Sequence, residues 1–62
     1  MCLSTAYYDE ISEQNAIMHN VMTVECTEKE VILTDLMGRK STIEGSLIKE
    51  SLTDGYVILK AV

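Results

Sequence analysis

Proline is absent from the 62 residues, and glycine, aromatic residues and positive charge are scarce. There are three glycines, three tyrosines with no other aromatic, and five basic residues against ten acidic ones. The lack of proline, with glycines only at Gly38, Gly45 and Gly55 near turn signals, fits compact hairpins. The net charge of −5 argues against nonspecific binding to nucleic acid or anionic membranes, because phosphate contacts need a cationic surface. Arg39-Lys40 is the only adjacent basic pair. Two cysteines allow one disulfide at most, and with no C-x-x-C or paired Cys/His spacing a zinc knuckle is excluded. There is no Gly-rich phosphate loop, no G-x-S-x-G and no H-E-x-x-H. With one histidine and little volume for a pocket, no residue reads as catalytic. No apolar run approaches the roughly 20 residues that span a bilayer. The opening residues lack the basic region and apolar core of a signal peptide, so a cytoplasmic location with reduced thiols is expected.

A chain this short is expected to form one domain, residues 1–62. Surface scaling gives about 4,000 Å² folded against about 10,000 Å² unfolded. Apolar burial then stabilises by on the order of 90 kcal/mol, and ordering the chain costs about as much. A monomer with so small a margin favours a partner subunit, and a homodimer is expected.

What the chain does have is alternation in short runs. Leu3 to Tyr8 reads as a first strand, rich in Thr and Tyr. Asp9 to Asn15 is polar and reads as an irregular link; a helix over Tyr8 to His19 ranks second, because its apolar spacing is loose. Ile17 to Thr27 is a long second strand, with Val24 and Cys26 sharing one face and Thr23, Glu25 and Thr27 the other. Glu28-Lys29 turns into a third strand, Glu30 to Leu36, whose Val31-Ile32-Leu33 run suggests burial on both faces or at a subunit contact. Met37-Gly38-Arg39 turns again, with Gly38 expected at positive φ. Lys40 to Glu44 is a fourth strand and Gly45 bends the chain; Ser46 to Leu52 reads equally as a short strand or a helical turn. Thr53-Asp54-Gly55 is a hairpin signal, and Tyr56 to Leu59 closes the series. The fold class is therefore all-β: a small barrel, or a strongly bent sheet, of five to six short strands.

Chemistry concentrates at the opening Met1-Cys2. If Met1 is retained, its amine, the Cys2 amide nitrogen and the Cys2 thiolate form fused chelates; if it is removed, the Cys2 amine and thiolate form one five-membered ring. Nitrogen and sulfur donors at this spacing suit a thiophilic divalent ion such as nickel, copper or zinc. Two termini meeting across a dimer two-fold would complete four donors. Cys26 reads as a buried core thiol. His19 reads as structural, since nothing in its spacing links it to Cys2. Met18, Met22 and Met37 read as core filler. Tyr7, Tyr8 and Tyr56 read as barrel-edge packing rather than an RNA-stacking surface, given the absence of a basic patch.

Met1-Cys2-Leu3-Ser4-Thr5-Ala6-Tyr7, the length and the β pattern together resemble the CooT-like family of small nickel-binding proteins. Glu30-Val31-Ile32-Leu33-Thr34-Asp35 and the later Gly45 before a closing strand are similar to family members as well. The resemblance implies a homodimer of small Sm/SH3-like barrels binding Ni(II) through Cys2, with Ser4 matching a small position of the motif. It also implies a metallochaperone-like accessory role in maturing a nickel enzyme such as carbon monoxide dehydrogenase. Two other readings stand beside it: a β-barrel module binding protein or RNA with no metal role, using Tyr7, Tyr56 or Arg39, and a thiol sensor in which Cys2 forms an intersubunit disulfide.

Overall fold

The computed structural model describes residues 3–62, and these form five strands closed into a barrel in the order β1-β2-β3-β4-β5. The strands are β1 (Ser4–Tyr8), β2 (Ala16–Cys26), β3 (Glu30–Asp35), β4 (Lys40–Ser51) and β5 (Tyr56–Ala61). A single 3-10 turn, Glu13–Asn15, interrupts the polar link after β1, so the helix over Tyr8 to His19 does not form. Neighbouring strands run antiparallel except β1 and β5, which pair parallel from Thr5 opposite Tyr56 to Tyr8 opposite Leu59. That parallel pair closes the barrel.

Two long strands each serve two neighbours, and this lets five strands enclose a core. The first half of β2 pairs with β1 (Ser4 opposite Val21, Tyr7 opposite Ala16), and its second half pairs with β3 (Val24 opposite Leu33, Cys26 opposite Val31). The change of partner occurs where Asn20 takes φ 58° and the β2–β3 register shifts between Val21 and Thr23. Asparagine tolerates this left-handed geometry better than most residues. β4 repeats the device. Lys40 to Glu44 pair with β3, and Gly45 to Ser51 pair with β5. Lys40 to Ser51 is thus one bent strand rather than a strand followed by an ambiguous segment. Its corner is Gly45, whose φ is 156°. A Cβ there would collide with the Lys60 carbonyl oxygen and lie 3.0 Å from Ala61 Cα, so the two backbones approach closely only because the side chain is missing.

The core is Ala6, Val21, Val31, Leu33, Ile43, Val57 and Leu59, contributed by all five strands. Tyr8, Ile17, Met18, Val24 and Leu47 pack against it. The accessible surface is 4388 Å², close to the roughly 4,000 Å² expected from chain length. The Val31-Ile32-Leu33 run is buried on one face only: Val31 and Leu33 are buried, and Ile32 is half-buried on the other side. Met22 and Met37 are not core filler, being 46% and 76% exposed. Met22 lies at the β2 register shift, and Met37 lies at the tip of the β3–β4 turn; neither place faces the interior.

Turns are fixed by side chains as much as by glycine. Thr27 Oγ1 accepts hydrogen bonds from the Glu30 amide (2.9 Å) and the Lys29 amide (3.4 Å), which sets the β2–β3 turn. Ser51 Oγ accepts from the Asp54 amide at 3.1 Å in the β4–β5 turn. Gly38 takes φ 84° in the β3–β4 turn, as the sequence predicts.

Candidate functional site

The expected metal donors, Met1 and Cys2, lie outside the described residues. The structure describes the platform they lead into. Ser4 stands opposite Val21, and the Thr5 amide donates to the Gly55 carbonyl at 3.0 Å, so β1 is held from both sides from its first residues. Beside this strand start, Ser4, Val21, Met22, Val24, Glu50, Leu52 and Val57 line a slot of about 250 Å³ at one end of the barrel. Five of its seven lining residues are aliphatic or Met, and Leu52 on its rim is 82% exposed. Its volume falls below the roughly 300 Å³ at which small-molecule pockets begin. The slot is apolar and smaller than such a pocket.

Cys26 is exposed, not buried. Its register explains both the expectation and the outcome. It pairs with buried Val31, so it points to the core side of the ladder, but it is the last residue of β2 and has run past the barrel's edge. His19 is exposed, with its Nδ1 at 3.4 Å from Thr5 Oγ1. The structure does not gather these groups: among the described residues, no three His, Cys, Asp or Glu side chains converge on a point. Tyr7, Tyr8 and Tyr56 are half-buried, as expected of edge packing, and the Lys49 ammonium sits 5.9 Å from the Tyr56 ring centroid. Arg39 Nε donates to Asp35 Oδ2 at 2.9 Å, and the rest of its side chain remains exposed.

Asp35 was not singled out by the sequence. Its carboxylate is buried and accepts hydrogen bonds from the Met37 and Arg39 amides and from the Arg39 side chain, each at 2.9 Å. The Arg39 amide foremost, then the Met37 amide and the Arg39 guanidinium, hold its pKa below the ordinary 3.8 against the opposing effect of burial. The signal was a carboxylate three residues before Gly38 and four before Arg39, the pattern of a side chain closing its own turn. A second concavity, an open groove between Thr27–Glu30, Glu44–Ser46 and Lys60–Val62, is lined by carboxylates and ammonium groups of both signs. It also has no counterpart in the sequence reading, because its walls come from three segments distant in the chain.

The family model described as CO dehydrogenase accessory protein CooT matches residues 1–60. The chain belongs to the CooT family. The crystal structure of a candidate CooT from Carboxydothermus hydrogenoformans superposes with a TM-score of 0.82 over 98% of each chain, at 18% identity. That similarity establishes a shared CooT fold. No curated protein sequence matches the chain. The family's description as a CO dehydrogenase accessory protein is consistent with an accessory role. No helix among the described residues is long and apolar enough to cross a membrane.

Proposed function

We propose that the protein is a cytoplasmic, non-catalytic accessory protein that binds Ni(II) as cargo for the maturation of a nickel enzyme such as carbon monoxide dehydrogenase. The Cys2 thiolate supplies the sulfur donor, and backbone nitrogens of the Met1-Cys2 segment complete the chelate. Two copies share the ion across a two-fold axis. The observation that carries this reading is the CooT family match, which begins at residue 1 and so includes Cys2. The fold supports it in one further way. β1 is anchored at Ser4 and Thr5, two to three residues after the thiol, so the donors would stand on a rigid strand end rather than on a long tail.

The donor set suits the ion. Thiolate and deprotonated amide nitrogen favour square-planar Ni(II), and a shared surface chelate releases its ion more readily than an enclosed four-ligand cage. A Ni(II) titration of reduced, tag-free protein tests the reading. Saturation near one ion per two chains, with thiolate charge-transfer absorption that Cys2→Ser removes and Cys26→Ser leaves unchanged, is the expected result. Full affinity in Cys2→Ser would sink it.

A further inference from the structure

Every backbone amide of the β3–β4 turn, from Asp35 to Arg39, has an acceptor within the protein. The Asp35 amide donates to the Arg39 carbonyl (2.9 Å), the Leu36 amide to the Asn20 carbonyl (2.9 Å) and the Gly38 amide to the Asp35 carbonyl (3.0 Å). The Met37 and Arg39 amides both donate to Asp35 Oδ1 at 2.9 Å. The turn is thus fixed from within by a buried carboxylate and from β2 by Asn20. A surface held this way loses little conformational freedom when a partner covers it.

The side chains on this rigid frame are not those that turns favour, which are Gly, Pro, Asn, Asp and Ser. Leu36 is 54% exposed and Met37 76%. Among the described residues they are the only exposed large hydrophobics adjacent in sequence. Single exposed apolar residues are ordinary on a surface, but a neighbouring pair at a fixed tip has the form of a contact. Arg39-Lys40, the only adjacent basic pair, follows directly, and Leu36 to Ile43 contains no acid in a chain that has ten. Among the described residues, Asp35 is the only acid in ion-pair contact with this pair, through Arg39 Nε, and the Arg39 side chain stays 77% exposed.

The place of the turn matters as well. Val21 pairs with Ser4 on one side and with Asp35 on the other. The base of the turn and the start of β1 are therefore two strand spacings apart, about 10 Å. The proposed nickel donors join the barrel at that start of β1.

We infer that the β3–β4 turn is the docking point for the apoprotein of the client nickel enzyme. Leu36 and Met37 enter an apolar pocket on that protein, and carboxylates on the pocket's rim meet Arg39 and Lys40. The inference rests on the accessory role proposed above and names the surface through which the client is met. Charge selects the occupant, since this turn is a basic, apolar face on an acidic chain and fits an acidic rim. A lipid surface is a poorer match: attachment by charge takes clusters of roughly four to eight bases, and here there are two in a chain of net charge −5. Docking beside the start of β1 holds the client within reach of the cargo.

The test measures binding to immobilised, nickel-free carbon monoxide dehydrogenase by biosensor. Met37→Ser weakens binding about 10- to 100-fold, mainly through faster dissociation, and leaves Ni(II) affinity unchanged. Lys40→Glu slows association and removes its salt dependence. Ile11→Ser, an exposed apolar position in the β1–β2 link, changes nothing. Binding that is indifferent to either turn variant overturns the inference and leaves the client reading standing. No binding by the wild type overturns both, while the Cys2→Ser titration still decides the nickel site. A changed sedimentation coefficient for Met37→Ser alone, without the enzyme, assigns the turn to a contact between copies and overturns the inference. Wild-type protein that co-sediments with phosphatidylglycerol vesicles, when Met37→Ser does not, overturns it in favour of a membrane.

Discussion

Replacing Gly45 by Ala adds one methyl group and is expected to be among the costliest single changes in the barrel. The new Cβ would collide with the Lys60 carbonyl oxygen and meet Ala61 Cα at 3.0 Å. Both obstacles are backbone, so no rotamer change relieves them. They sit in the ladder that pairs Gly45 with Ala61 and Ser46 with Lys60, and the next bonds outward are Val62 N–H to the Glu44 carbonyl and Gly45 N–H to the Lys29 carbonyl. Relief therefore requires parting β4 from β5 at the corner. Overpacking costs about 1–3 kcal/mol and backbone strain at a φ of this kind about 1–3 more, so the substitution removes roughly 2–6 kcal/mol. A 62-residue domain has roughly 3–9 kcal/mol to lose. Thermal unfolding by circular dichroism should show a midpoint at least about 8 °C lower, at about 4 °C per kcal/mol as the low end for this size, or no folded baseline. Gly38→Ala is the control. Gly38 also has positive φ but meets nothing within 4 Å, so it pays only conformational strain of about 1 kcal/mol. A Gly45→Ala protein no less stable than Gly38→Ala would refute the reasoning.

Other outcomes follow from the same geometry. Leu59→Ala, at a fully buried position of β5, should cost about 2–5 kcal/mol in urea unfolding. Asp35 has a folded pKa below its ordinary value, so its contribution is complete above that ordinary value near pH 4 and is lost as pH falls through the folded pKa. Asp35→Ala should therefore be less stable than wild type at pH 7 in urea melts, and the gap should narrow progressively below pH 4. Cys26, exposed at the end of β2, should react with a thiol reagent in native Cys2→Ser protein nearly as fast as in denaturant; strong native protection would contradict its exposed position.

The barrel was largely legible because its signals are local. Thr53-Asp54-Gly55 and Met37-Gly38-Arg39 mark hairpins by themselves, and the strand at Glu30–Asp35 follows from a run of β-branched and aliphatic residues. What was not legible depends on how far each strand travels within the barrel. Alternation placed Cys26 on the core-facing side of β2 correctly, yet could not show that the barrel ends before it. The same blindness made Met22 and Met37 look like filler. β4 read as two pieces because a glycine in mid-strand resembles a break, when here it is a bend required by a neighbouring backbone. Asp35 looked like one acid among ten until its three donors were in view. The proposed Met1-Cys2 site stands on the chemistry of two adjacent residues and on family membership.

The parallel pairing of β1 with β5 orders events during synthesis. Thr5 finds Tyr56 51 positions later, and Tyr8 finds Leu59 at the same separation. Such contacts come late, since the loop they close spans nearly the whole chain. On the ribosome β1 emerges before the other four strands, and its second neighbour emerges after them. Until Tyr56–Ala61 clears the exit tunnel, the strand next to Cys2 has an open edge, and a chain stopped before Tyr56 is an aggregation hazard rather than a smaller barrel. A tag or fusion that delays the last six strand residues would therefore disturb the amino-terminal end of the molecule more than its own.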